Sequence, residues 1–225
     1  VWDLRYPAPV SLPYGYSGNL IEYTEYTLAD HAVPGKTPRR QPQGPLVLPG
    51  TYSLELAVGG RVFRQSLEVK LDPRLTVSSA DLQRQLDLEQ QIGRGMFVSY
   101  RAYQDAAALR KALSAHKKDM ADAAAALEKK IDAVDNGTHT APGFGPVNRD
   151  LTRLASSVQS GDVRPAETAA AAVAEQCQAL DTDLEKWREL NERDVPRFNA
   201  GLHGALLPVV VVDAAGCGRK SAGRR

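Results

Sequence analysis

The chain has 225 residues, 43% hydrophobic and 24% charged, and its 28 Lys and Arg against 27 Asp and Glu leave a formal net charge of +1. That length suffices to bury a core in one large domain or two small ones, and the charge balance excludes a globally basic nucleic-acid binder and an acidic tail protein. No apolar run approaches the ~18 residues of a membrane-spanning helix, and two cysteines exclude a disulfide scaffold and a four-thiolate zinc site.

The chain starts at Val1 inside what reads as a strand, Trp2-Asp3-Leu4-Arg5-Tyr6. This predicts a piece of something longer, whose working part lies upstream. No secretory signal is visible, which in such a piece says nothing for the cytoplasm. Residues Pro7 to Pro45 hold much of the proline and little periodicity, so they read as a long loop with one short strand around Asn19 to Thr27. Tyr6, Tyr14, Tyr16, Tyr23 and Tyr26 concentrate in this first part. Loop and core packing accounts for them. The sharper alternative makes Tyr14, Tyr16, Tyr23 and Tyr26 an interface, because tyrosine offers contact area with a polar tip at low entropic cost.

After Pro49-Gly50, residues Thr51 to Val58 alternate with period two, placing Tyr52, Leu54, Leu56 and Val58 on one face. Gly59-Gly60 supplies a two-residue hairpin turn, and Val62 to Val69 alternate on the return strand. Composition shifts at Asp72-Pro73 to the helix formers Ala, Leu, Gln, Lys and Glu.

A first helix is capped by Ser78 or Ser79 and carries Leu82, Leu86, Ile92, Met96 and Leu113 near one stripe, with a kink expected at Gly93 and Gly95. A second carries Met120, Ala124, Leu127, Ile131 and Val134 and stops at Asn136-Gly137. Thr138 to Pro146 reads as a loop, and a third helix carries Val147, Leu151, Leu154 and Val158. A fourth opens at Pro165, carries Val173, Cys177, Leu180, Leu184 and Trp187, and does not continue simply through Pro196. Beyond Gly201 the apolar Leu206 to Val212 precedes a small, basic end.

No catalytic, cofactor or metal residue is singled out. His31, His116, His139 and His203 are scattered, without the i, i+4 spacing of a zinc helix. Carboxylates Asp119, Asp122, Glu128, Asp132 and Asp135 interleave with Lys117, Lys118, Lys129 and Lys130, which suits a solvated helix face, and Asp181, Asp183, Glu185 and Glu189 read the same way. Gly93-Arg94-Gly95 is no phosphate loop. Asn136-Gly137-Thr138 fits a glycosylation sequon, but a helix stop explains it. Cys177 reads most simply as a small core residue and Cys217 as part of a tail; a disulfide between them is the alternative, open in an oxidising compartment.

Trp2-Asp3-Leu4-Arg5-Tyr6-Pro7, with Gly44-Pro45-Leu46-Val47-Leu48-Pro49-Gly50-Thr51-Tyr52, resembles an Ig-like module of the flagellar hook-capping type. Followed by Asp72-Pro73-Arg74, the pair resembles the C-terminal part of bacterial sortilin-like or BNR (Asp-box) glycosyl-hydrolase-like β-propeller proteins. Asn148-Arg149-Asp150-Leu151, Ser160-Gly161-Asp162-Val163-Arg164-Pro165 and Asp194-Val195-Pro196-Arg197-Phe198-Asn199 resemble that family's helices, so the likeness spans roughly residues 1–202. The Asp-box pattern Ser-x-Asp-x-Gly-x-Thr-Trp does not occur in the chain.

The resemblance implies a secreted, periplasmic or cell-envelope protein with its propeller upstream. The expected fold is α+β: a partial Ig-like β-sandwich over residues 1–73, an antiparallel four-helix region over 74–200 and a flexible tail over 201–225. The expected role is a non-catalytic structural or protein-interaction region. Its partner is the upstream β-propeller or another envelope protein, with no nucleic acid and no membrane insertion. Alternatives are part of a glycoside hydrolase whose catalytic propeller lies upstream, or a free-standing adhesion or assembly module.

Overall fold

The computed structural model describes residues 2–12, 43–116, 120–159, 161–210 and 216–217. Strands β1 (Gly50–Val58) and β2 (Arg61–Val69) pair antiparallel along their whole length, from Gly50 against Val69 to Val58 against Arg61. Gly59 and Gly60 join them with φ of 56° and 78°, the pair of positive angles that a type I′ turn needs and a Cβ disfavours. The register sets Tyr52, Leu54 and Leu56 opposite Leu67, Gln65 and Phe63 on one face. The other face carries Glu55 and Arg64, paired at 2.9 Å.

The expected Ig-like sandwich is not what forms. The described residues contain one two-stranded sheet and two isolated antiparallel bridges, Arg5 with Leu46 and Gly137 with Pro142, of which the first lies in the expected β part. Tyr6 N–H donates to the Pro45 carbonyl at 2.8 Å and Val47 N–H to the Leu4 carbonyl at 2.9 Å, and there the pairing ends. Alternation encodes which side of a strand is apolar; it does not supply a second sheet to cover that side.

Helix α1 (Ser79–Ser114) is 36 residues long and runs through Gly93 and Gly95. Ser78 Oγ accepts from Asp81 N–H at 3.1 Å, capping the helix start, and donates its own hydrogen to the Asp81 carboxylate at 2.6 Å. Helices α2 (Ala121–Asp135), α3 (Phe144–Val158) and α4 (Glu167–Glu189) follow. Helix α3 starts inside the segment expected as loop. Pro146 stands in its first turn, where no backbone N–H is required.

After α4 the chain does not break at Pro196. A π-helical turn, Leu190–Asp194, leads into the short α5 (Val195–Asn199), and Val195 N–H reaches back five residues to the Leu190 carbonyl. The wider turn gives the proline ring the room that an α-helical carbonyl four residues back would occupy.

An antiparallel four-helix region also fails as a description. Helices of 36, 15, 15 and 23 residues span roughly 54, 22, 22 and 35 Å at ~1.5 Å per residue, so they cannot share one bundle axis end to end. Helix α3 packs most extensively on α1 and runs opposite to it, with Asn148 at Met96 and Val158 at Gln85. Ile92, Met96, Leu109, Ile131, Leu151 and Leu180 meet in one core, where Phe144 and Trp187 stand edge to face at 6.3 Å.

Candidate interaction surface and buried polar groups

Among the described helices and strands, the hairpin carries the most exposed large apolar side chains. Leu56 is 62% and Phe63 56% exposed, and Leu54 and Val58 lie on the same open face. Trp2 packs edge-on against Tyr52 at the base of that face, 5.7 Å between ring centroids, and donates its indole N–H to the Arg5 carbonyl at 3.0 Å. Tyr52 is fixed by donating to the Leu48 carbonyl at 2.7 Å. Burial, then the neighbouring Tyr6 charge, raises the pKa of its phenol.

Tyr14, Tyr16, Tyr23 and Tyr26, the tyrosines singled out as an interface, lie outside the described residues. Tyr6 is described, and borders a groove of about 780 Å³ with Pro9, Glu89, Phe97, Arg101 and Trp187. The Arg101 guanidinium lies 6.0 Å from the Phe97 ring centroid, within cation–π range.

Two carboxylates expected on solvated helix faces are buried instead. Asp135 pairs with Arg110 at 2.6 Å, and Asp183 with Lys186 at 2.9 Å. Burial raises the pKa of both, against the pull of those cations. Each continues an apolar stripe, Asp135 four residues after Ile131 and Asp183 between Leu180 and Trp187, and that was the available signal. Glu89 shares the pattern on α1, between Leu82 and Met96. Burial pushes its carboxyl up, and hydrogen bonds from Gln85 and Gln159 and the Arg5 charge only partly oppose this.

His31 lies outside the described residues; His139 and His203 are exposed, and His116 stands edge-on to Phe198 at 6.2 Å. Among the described residues no group of three or more His, Cys, Asp or Glu gathers as metal ligands would. No described helix is long and apolar enough to cross a membrane.

Three asparagines hold irregular chain against the helices. Buried Asn148 accepts from Leu12 N–H at 2.8 Å and donates to the Met96 carbonyl at 2.8 Å and to Ser99 Oγ at 3.1 Å. Asn199 both accepts from Leu207 N–H, at 2.8 Å, and donates to the Leu207 carbonyl, at 3.0 Å. Asn191 accepts from Val210 N–H at 2.9 Å and donates to the Trp187 carbonyl at 2.9 Å. Part of the segment expected as tail is therefore packed, with Leu207 and Cys217 buried. Of the two readings of the cysteines, the disulfide is the one present: Cys177 and Cys217 are bonded, with Cα atoms 5.4 Å apart.

Compared with protein-family models, with curated proteins and with solved structures, the chain matches none.

Proposed function

We propose that this chain is a non-catalytic docking region of a secreted bacterial β-propeller protein, and that the apolar face of its hairpin seats on that propeller. One observation carries the docking role: a regular amphipathic hairpin whose apolar side is open, with Leu54, Leu56, Val58 and Phe63 all exposed. Two-stranded sheets are marginal in water without a covering layer. The propeller and the bacterial, secreted setting rest on the sequence resemblance, and a disulfide suits an oxidising compartment.

Size favours a tethered partner over a free one. Two nine-residue strands offer a face of about 30 by 10 Å, near 300 Å², against the ~800 Å² per side of a standard interface. Tethering raises the effective concentration and removes that deficit. Trp2 already lies on Tyr52, so the N-terminal end of the described residues reaches this face.

The test is to titrate the upstream propeller segment, expressed separately, with this chain and with its Leu56→Asp, Phe63→Asp double variant. Loss of binding in the variant, with helical circular dichroism unchanged, is expected. Equal binding by both, or glycoside hydrolysis by the chain alone, overturns the proposal.

A further inference from the structure

The C-terminal part of the chain is fastened to the helical body at two places that differ in chemistry. The inner fastening is polar: the side-chain amides of Asn199 and Asn191 satisfy the backbone of Leu207 and Val210 as a neighbouring strand would. Asn191 is only 1% exposed and lies on the π-helical turn, whose extra residue per turn sets it beside Val210. The outer fastening is covalent. Cys217 is fully buried and bonded to Cys177 of α4, and Arg94 Nε donates to its carbonyl at 3.3 Å.

Helix α1 is shaped for the covalent one. A Cβ at Gly95 would overlap the Cys217 sulfur and press on Leu151 at 2.8 Å. Gly95 thus stands in a helix interior, where glycine is disfavoured, because the disulfide takes the space of its side chain. Two unbonded sulfurs stand farther apart than a bonded pair, so reduction must move one of them. Cys177 is held within α4, whereas Cys217 lies outside every helix and strand, and Cys217 is the one to move.

We propose that the Cys177–Cys217 disulfide is a redox-dependent clasp: closed, it seals Cys217 against Gly95; reduced, it releases Cys217 while Leu207 and Val210 stay on Asn199 and Asn191. The reductant is a dithiol. One of its thiolates attacks the sulfur of Cys177, the less buried of the two residues, and Cys217 leaves as a thiolate that takes up a proton. The second thiol of the reductant then displaces Cys177, which is protonated in turn, and the reductant departs as its own disulfide. Two electrons and two protons pass to the chain. Closing the clasp is the reverse exchange with an oxidised dithiol. This inference stands apart from the docking role of the hairpin.

The experiment uses the full chain, oxidised or treated with dithiothreitol, and its Cys177→Ser variant. Thiol titration, intact mass, helical circular dichroism and thermal unfolding are followed. The oxidised chain is expected to show no titratable thiol, and reduction to add 2 Da and lower Tm by about 10 °C with native helicity at 25 °C retained. The variant should unfold at the reduced wild-type temperature and ignore dithiothreitol. Two free thiols in the air-oxidised chain, a Tm unmoved by reduction, or collapse of the helical signal on reduction would each overturn the clasp. The reduction arm on the wild-type chain decides the matter even if Cys177→Ser does not fold.

Discussion

Asn199 replaces a missing strand with one amide, meeting both backbone groups of Leu207. Truncating it leaves a part-buried N–H and carbonyl without partners, so Asn199→Ala is expected to cost about 1–3 kcal/mol. Urea unfolding with an unchanged m-value checks this; a loss below ~0.5 kcal/mol contradicts it. Glu89 gives a test in pH. Its folded-state pKa lies above the ordinary carboxylate value because burial penalises the anion. The folded chain therefore holds that proton more tightly than the unfolded chain does. The group costs nothing below the ordinary carboxylate pKa, and stability is lost as the pH rises from there through the raised folded value. Glu89→Gln should match wild type at pH 3 and gain on it progressively toward pH 7, as measured by denaturant midpoints. A constant difference across that range would contradict the assignment.

At the level of elements, the hairpin and the helices show different relations between pattern and packing. Residues 50–69 were legible because turn chemistry is local: two glycines supply positive φ and alternation sets the faces. What covers the apolar face is not local, and there the sandwich expectation failed. The same fact makes the hairpin variant interpretable. Leu56 and Phe63 are more than half exposed but directly opposite, so Leu56→Asp with Phe63→Asp should cost the hairpin about 1–2 kcal/mol through like-charge repulsion and leave the helical body unchanged while removing docking. In the helices, apolar stripes located the elements, but the ends depended on proline. Pro146 reads as loop, yet it sits in a first turn; Pro196 reads as a bar to simple continuation, and the α-helix does give way there to a π turn that accommodates the ring. Asp135 and Asp183 read as carboxylates of solvated helix faces, yet both are buried, Asp135 paired with the half-buried Arg110 of α1 and Asp183 with the half-exposed Lys186 one turn on.

Over the whole molecule the cross-link matters most. Its two ends are 40 residues apart, for which the chain-entropy relation gives about 4 kcal/mol of stabilisation. Gly95 is its steric counterpart, so Gly95→Val should block closure, leaving two titratable thiols after oxidative refolding; a closed disulfide in that variant would contradict the fit at α1. The tyrosines proposed as an interface lie outside the described residues. The open site became instead the hairpin face, whose residues were visible in the sequence as strand pattern and not as surface. By itself, the sequence determined where the hairpin turns, which faces of the helices are apolar and that no large net charge steers the chain. Those properties follow from backbone preference and short periods, which act within a few residues. Only the tertiary structure decided that Cys177 meets Cys217, that Asn191 and Asn199 bind the chain beyond α5, and that the hairpin face is left open. Each of these joins, or fails to join, groups whose meeting depends on how whole helices pack, and no local preference encodes that.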